Sequence, residues 1–519
     1  MISRLAGLLF ARHGCLIFLG GYFLLLLALR ITLFHGSSED DAEQLFFSQA
    51  VSWGYKVNQP PLYTWLVILL QKAVGVSEAS VAIVKYSALF AIYYFIYRAA
   101  EEIFDDTVYA ALSTLSLLAI FYINWDAVVN YSHTVLMAAF LAATLFAVLR
   151  LPARNGILSY VVLGALLGLG LLSKYNFALF LVPLAIAAAA SKNLRAHLFT
   201  PKILISLAVA AVLIAPHAAW LLGSPGSIKT TPEYMDVAGG AGSAIVRTAK
   251  GVLDAAAGAV LFLSPLWLLY LVFFRRAFAP LTGRVSDGFL SDSRIADHSA
   301  GAEADRRFFE IYFLAFGALA VLGIAAFTLA GIRNHWMIPL LPFSLYMMLR
   351  IRAVSPRRAV LERFAVLLAV FAFAVVIALT VRALTAPNFC KKCNFFFPYA
   401  GLAEQIKTAG FDRGTILVND LPNQLGGNLR RYFPESRIIS RRYAYFTPVL
   451  KRDGGKCLLV WNESPWAHKN TRAVVVALAE RKLGLSIPAG LPSRYLEAPL
   501  PRSKNRTAKL GYLILPDCG

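Results

Sequence analysis

Charge is scarce in this sequence. Only 15% of its 519 residues are Asp, Glu, Lys or Arg, and the acids are the rarer kind, 29 against 50 basic residues. A water-soluble protein of this length needs far more polar surface to cover its core, so that class is excluded. Collagen-like triplets, heptads and internal repeats of roughly 20–50 residues are also absent, which excludes fibrous and solenoid architectures. What remains is apolar: 58% of the residues are hydrophobic, and mean hydropathy is +0.62.

Apolar runs near the ~20 residues needed to cross a bilayer recur over the first three quarters of the chain. They fall at 14–34, 79–97, 108–122, 131–149, 157–173, 177–190, 202–222, 252–274, 309–330, 335–350 and 361–384, which predicts an α-helical polytopic membrane protein with about eleven spans. The Pro-flanked run Leu62–Leu70 is too short to cross and reads as interfacial or re-entrant. The first run is too long for a signal peptide and ends in Arg30-Ile31-Thr32-Leu33-Phe34 without a small-residue cleavage site, so it reads as retained.

Basic residues concentrate in alternate loops: Arg4 and Arg12, Arg98, Arg150 and Arg154, Lys192 and Arg195, Arg275 and Arg276, Arg350 and Arg352. The positive-inside rule puts the N-terminus in the cytoplasm and the first long loop, 35–78, outside. An odd number of spans puts the tail after Leu384 outside too. The internal loop 277–307 is polar, rich in Gly, Ser and Asp, and expected to be mobile. Two domains follow: 1–384 in the membrane, and 385–519 as a small α/β domain in the periplasm. In the latter, Thr415–Val418 and Cys457–Trp461 read as strands and 472–483 as a helix. The tail carries an excess of about 12 positive charges, which suits anionic lipid, lipopolysaccharide or mere solubility.

Cys15 lies in the first run; Cys390, Cys393, Cys457 and Cys518 lie in the tail. An even number in an oxidising compartment suggests two disulfides, Cys390 with Cys393 and Cys457 with Cys518. Zinc at Cys390-Lys391-Lys392-Cys393 lacks further ligands nearby, and a redox pair lacks a thioredoxin-like context.

The chemistry concentrates in loop 35–78. It opens Ser37-Ser38-Glu39-Asp40-Asp41-Ala42-Glu43, with Ser38 three residues before Asp41 as in a capping box. Carboxylates favour helix N-termini, which accounts for one acid better than for four acids in five residues at a membrane interface. Trp53-Gly54-Tyr55 and Pro60-Pro61-Leu62 follow, the prolines returning the chain toward the bilayer. An acidic pair opening a surface helix, a W-G-Y turn and a P-P-L return resemble the first periplasmic loop of GT-C glycosyltransferases. The resemblance is to the bacterial protein-mannosyltransferase-like family (glycosyltransferase families 39 and 83), which includes the lipid A aminoarabinose transferase. Gly168–Tyr175 resembles the family's G-L-L-S-K-Y segment, and Asn334-His335-Trp336-Met337-Ile338-Pro339 its late H-W-x-x-P loop. The likeness covers roughly 1–350.

Such enzymes move a sugar from a polyprenyl-phosphate carrier to an acceptor hydroxyl outside the membrane, here a lipid A, lipopolysaccharide or other glycan acceptor before a protein. The resemblance implies inversion with Asp40 as base, and Asp41, where relatives carry Glu, orienting Asp40 or binding the acceptor. It implies Lys174 and Arg333 as ligands of the donor phosphate, with Arg30 a weaker third; snorkelling to headgroups is the plain alternative for Lys174. Glu43, Gln59, Asp126, His133, Tyr175, His335 and Trp336 are candidates for the substrate pocket. His133 stands where relatives carry an Asp, and an interfacial aromatic belt explains Trp336 equally well. No cofactor is required; a divalent metal held by Asp40, Asp126 and His133 stays open. A lipid or glycan transporter would share the spans and the basic balance, but would predict inverted repeats or broken midplane helices, which the sequence lacks. A non-catalytic assembly factor would leave Asp40 dispensable. Nucleic acid is not an expected partner.

Overall fold

The structure is a computed structural model. It describes all residues except 38, 224–242, 280–292, 392, 421–423, 449–454, 467–470, 489, 517 and 519, and only the backbone of 293–300. Ser38, the expected capping residue, and 280–292 of the polar internal loop therefore lie outside the described residues.

Helices fill the first 385 residues. Among the described residues six are long and apolar enough to cross a membrane: Gly14–Leu33, Glu78–Ile103, His133–Arg150, Ile203–Leu222, Gly301–Phe327 and Arg358–Asn388. A seventh is added if Tyr175–Ala190 and Lys192–Leu198, bent by 112°, form one span. Leu62–Val74, Thr107–Ala119 and Ile157–Ser173 are apolar but shorter. The protein is thus a multi-pass membrane protein. The eleven apolar runs do not become eleven uniform spans, because several are cut short by turns and prolines. One boundary also moves: residues 293–307, expected in a mobile loop, begin the helix Ser293–Phe327.

Helix ends follow local chemistry. The Ser77 side chain accepts a bond from the Ser80 N–H and starts Glu78–Ile103, as an N-cap should. Asp106 does the same for Thr107–Leu115. Pro61 precedes Leu62–Val74 as its N-cap residue. Small residues set the close approaches. A Cβ on Gly164 would sit 2.4 Å from the Ser206 carbonyl, so Ile157–Ser173 and Ile203–Leu222 pack backbone to backbone, as small residues allow in membrane bundles.

The tail forms a five-stranded sheet in the order β2-β1-β3-β5-β4. Its strands are β1 Gly414–Val418, β2 Arg437–Ser440, β3 Lys456–Asn462, β4 Arg494–Pro499 and β5 Thr507–Leu515. β1 runs parallel to β2 and β3; β5 runs antiparallel to β3 and β4. Parallel strands are covered on both faces, and β1 is buried along its whole length. Helix Thr471–Leu483 covers one face through Val475, Leu478 and Ala479. The other face packs on Phe46 and Phe47 of the first surface loop. Disulfides join Cys390 to Cys393 and Cys457 to Cys518.

The tail is therefore seated on the loop that carries the acids. Helix Leu425–Arg430 lies against Glu39–Phe47, and a Cβ on Gly427 would meet the Ala42 carbonyl at 1.9 Å. Only glycine permits that contact. An ion pair and two hydrogen bonds tie the same seam: Arg431 Nη1 reaches Glu78 at 3.3 Å, and Arg430 donates to the Leu45 carbonyl at 2.8 Å and to Ser48 Oγ.

Candidate functional site

Consecutive residues on a helix point about 100° apart. Asp40 and Asp41 therefore point to different contact partners on Glu39–Phe47. Asp41 is buried. Its carboxylate meets Lys85 Nζ at 2.6 Å and Arg30 Nη2 at 3.8 Å. Arg30 also pairs with Glu78, which accepts a 2.5 Å bond from Ser37 Oγ. This corrects two expectations. Asp41 has no open side for an acceptor, and Arg30 is committed to carboxylates rather than to a donor phosphate.

Asp40 is half-buried and accepts a bond from the Ser132 N–H at 3.2 Å. Burial, reinforced by the nearby Glu43 carboxylate, pushes its pKa up to about 6; Lys85 and Lys174 pull the other way. It is the acid of the pair that remains available to take a proton near neutral pH.

Glu43 lies one turn on, at i+3. It accepts bonds from Tyr443 Oη at 2.6 Å and Lys56 Nζ at 3.3 Å. Tyr443 comes from the tail, 400 positions away. Tyr443→Phe removes a hydrogen bond to a charged acceptor, so about 1.5–3 kcal/mol of stability should be lost. Thermal unfolding in detergent measures it; an unchanged melting temperature would make this contact idle.

Gln44 closes the next turn. Its Oε1 accepts from Thr64 Oγ1 at 2.6 Å, and its Nε2 donates to His133 Nε2 at 3.0 Å. His133 Nδ1 then faces the Ser173 carbonyl at 3.3 Å. Both ring nitrogens are engaged and the side chain is buried. His133, the first residue of helix His133–Arg150, thus braces Glu39–Phe47 against the end of Ile157–Ser173 beside Asp40. It cannot complete the metal trio with Asp40 and Asp126, and among the described residues no three His, Cys, Asp or Glu side chains converge on a metal position.

Lys174 follows the last residue of Ile157–Ser173 and donates to Thr134 Oγ1 at 2.7 Å. Its ammonium, half-buried, lies within the fields of Asp40, Arg333 and Lys56. Arg333 is exposed, immediately before the turn Asn334–Leu340. The Tyr131 and His335 rings stand 6.3 Å apart, and Arg333 acts on both. Asp40, Lys174, Arg333, Tyr131 and His335 thus share one electrostatic neighbourhood. Asp126 is half-buried at the end of the turn Tyr122–Asp126, within the field of Tyr131. Gln59 is half-buried and closes a tight turn with Lys56.

Tyr175 belongs to a support. Its hydroxyl bonds His217 Nε2 at 2.8 Å, and His217 Nδ1 donates to the Trp53 carbonyl at 2.7 Å. Gly54 packs under the Trp220 ring, where a Cβ would come within 2.1 Å. The W-G-Y turn is therefore a socket for Ile203–Leu222. Sequence reasoning missed His217, Trp220, Lys85 and Tyr443, since their partners lie far off in the chain. Trp336 lines an apolar cavity of about 80 Å³ with Ile332, Phe316 and Met337. A larger groove of about 720 Å³ is lined by Leu66, Leu69, Ala91, Phe95, Leu136 and Phe140.

Comparison with known proteins gives a consistent picture. The family described as Dolichyl-phosphate-mannose-protein mannosyltransferase matches residues 58–220. Lipopolysaccharide core galacturonosyltransferase RgtB of Rhizobium johnstonii is 31% identical over 450 residues, 85% of this chain and 86% of that protein. Lipopolysaccharide core galacturonosyltransferase RgtA of the same organism is 29% identical over 478 residues, 91% and 90% of the two chains. The crystal structure of ArnT from Cupriavidus metallidurans bound to undecaprenyl phosphate superposes with a TM-score of 0.60 at 14% identity, covering 96% of this chain and 98% of that one. That likeness is one of fold.

Proposed function

This chain belongs to the family of the lipopolysaccharide core galacturonosyltransferases, membrane glycosyltransferases of the GT-C class, and from that membership we propose that it transfers a uronic acid from a polyprenyl-phosphate carrier to a sugar hydroxyl of lipopolysaccharide. The reaction runs at the periplasmic face of the inner membrane, with the N-terminus in the cytoplasm and 385–519 as a periplasmic domain. The orientation rests on the basic bias of alternate loops.

One observation carries the reading: the half-buried carboxylate of Asp40 lies in the field of Lys174, which in turn lies in the field of Arg333. In the proposed step Asp40 takes the acceptor hydroxyl proton as that oxygen attacks the anomeric carbon. The C1–O bond to phosphate breaks, its electron pair leaves with the phosphate, and configuration inverts. Lys174 stabilises the charge growing on the departing polyprenyl phosphate. The groove of about 720 Å³ beside Leu136 and Phe140 offers an apolar path for the polyprenyl chain. Asp41 positions the catalytic helix; Glu43, Gln59, Asp126, His335 and Trp336 remain candidates for the pocket wall.

The base must be ionised to act. With the Asp40 pKa near 6, transfer should be low at pH 5 and rise through about pH 6 toward pH 7. A pH–rate profile measures this, and a flat profile down to pH 5 would remove Asp40 as the titrating base. The functional test is mass spectrometry of lipopolysaccharide incubated with purified protein and a uronosyl polyprenyl phosphate. One added hexuronosyl residue per acceptor supports the reading. Transfer only from donors bearing other sugars would replace the uronic acid.

A further inference from the structure

The cations around Asp40 are not equivalent. Lys56 is paired with Glu43 at 3.3 Å, and Lys85 with Asp41 at 2.6 Å. Arg30 and Arg431 both pair with Glu78. Among the described residues Lys174 and Arg333 have no carboxylate within ion-pairing distance; Lys174 holds only Thr134. Both cations are therefore left without an ion-pair contact, with Asp40 the carboxylate whose field reaches Lys174. A polyprenyl-phosphate sugar carries one negative charge on its phosphodiester. A neutral sugar adds none, whereas a uronic acid adds one on its C6 carboxylate. Two cations without an ion-pair contact offer one contact to each charge of the second kind of donor.

Their positions suggest which cation takes which charge. Lys174 lies within the field of Asp40, where the bond to phosphate breaks. Its compact ammonium suits the oxygens of a leaving phosphate. Arg333 stands immediately before the turn that carries His335, and its charge acts on Lys174, Tyr131 and His335, the last two with rings 6.3 Å apart. A guanidinium fork matches a planar carboxylate through two parallel bonds, which a lysine cannot reproduce.

Building on the uronosyl transfer proposed above, we propose that Arg333 is the specificity-determining residue, binding the C6 carboxylate of the donor sugar, while Lys174 binds the phosphate. Arg333 thereby separates uronosyl donors from neutral hexosyl donors of the same stereochemistry.

The test compares wild type, Arg333→Gln and Arg333→Lys on two polyprenyl-phosphate donors, one uronosyl and one with C6 reduced to the alcohol. Arg333 is exposed, so the variants should fold, and gel filtration checks this. On the uronosyl donor Arg333→Gln should lose about 10- to 100-fold in kcat/KM, the value of a charge-assisted bond. On the reduced donor it should stay within about threefold of wild type. Arg333→Lys should recover only part of the uronosyl rate. Equal losses on both donors would make Arg333 a phosphate ligand, and no loss on either would make it a headgroup anchor; both results overturn the proposal. If wild type transfers the reduced sugar but not the uronosyl one, the uronosyl reading itself fails. If wild type uses the uronosyl donor and the variant does not discriminate, only the role of Arg333 fails.

Discussion

Asp40→Asn should reduce transfer by about 10²- to 10⁴-fold, the range expected for loss of a general base, while the protein still folds and still binds its lipid-linked donor. The amide is nearly isosteric and can keep the 3.2 Å bond from the Ser132 N–H through its carbonyl oxygen, but it cannot take a proton. Stability should move the other way. A carboxylate whose folded pKa is raised to about 6 contributes stability that is present at low pH and lost as pH rises through 6. At pH 7.5 the ionised Asp40 is therefore a cost, and Asn removes it. The variant should melt at the same temperature as wild type or higher. Turnover of labelled donor and thermal unfolding, measured on the same preparation, check both halves. Activity within tenfold of wild type would end the case for Asp40 as base.

Lys85→Met should have the largest effect on stability. Lys85 lies in Glu78–Ile103, with only 2% of its side chain exposed, and holds both oxygens of Asp41 at 2.6 and 2.8 Å. Removing it leaves Asp41 with Arg30 at 3.8 Å. Breaking one side of a buried pair costs about 3–5 kcal/mol, whereas replacing both sides with apolar groups is often neutral. The single variant should lose that much, and the double variant Lys85→Met with Asp41→Leu should regain most of it. Thermal unfolding of the three proteins measures the difference. A double variant no more stable than the single one would show that the pair is not what holds the catalytic helix. Because Asp41 adjoins Asp40, the single variant should also lose transfer beyond its loss of folded protein.

The membrane helices were legible because each needs only a run of apolar residues, a local property. The tail strands were legible for the same reason: Thr415–Val418 and Cys457–Trp461 are buried on both faces and read as unbroken apolar runs. What a run does not encode is where a helix stops. Several runs end early at turns such as Tyr122–Asp126, so the spans are uneven, and Ser293–Phe327 begins inside a stretch whose composition suggested a loop.

The site divides along similar lines. The cluster of acids announced a surface helix, but only its rotation tells Asp40 from Asp41, and that rotation is fixed by Lys85, 44 residues on, and by Gly427 in the tail. His133 was a pocket candidate because it stands where relatives carry an Asp. Its two bonds, to Gln44 and to the Ser173 carbonyl, turn it into a brace. Trp53-Gly54-Tyr55 was readable as a motif, yet its purpose depends on His217 and Trp220, more than 160 positions later. Tyr443 carried no signal at all in the sequence. Partners of this kind are set by tertiary packing, and no local pattern records them.

The central claim is transfer from a polyprenyl-phosphate sugar. It is tested most directly in proteoliposomes containing purified protein, a donor labelled in its sugar, and lipopolysaccharide. The account predicts label on the lipopolysaccharide with equal release of polyprenyl phosphate, abolished in Asp40→Asn. Donor crossing the bilayer intact, with no label transferred by either protein, would contradict it and make this chain a lipid transporter.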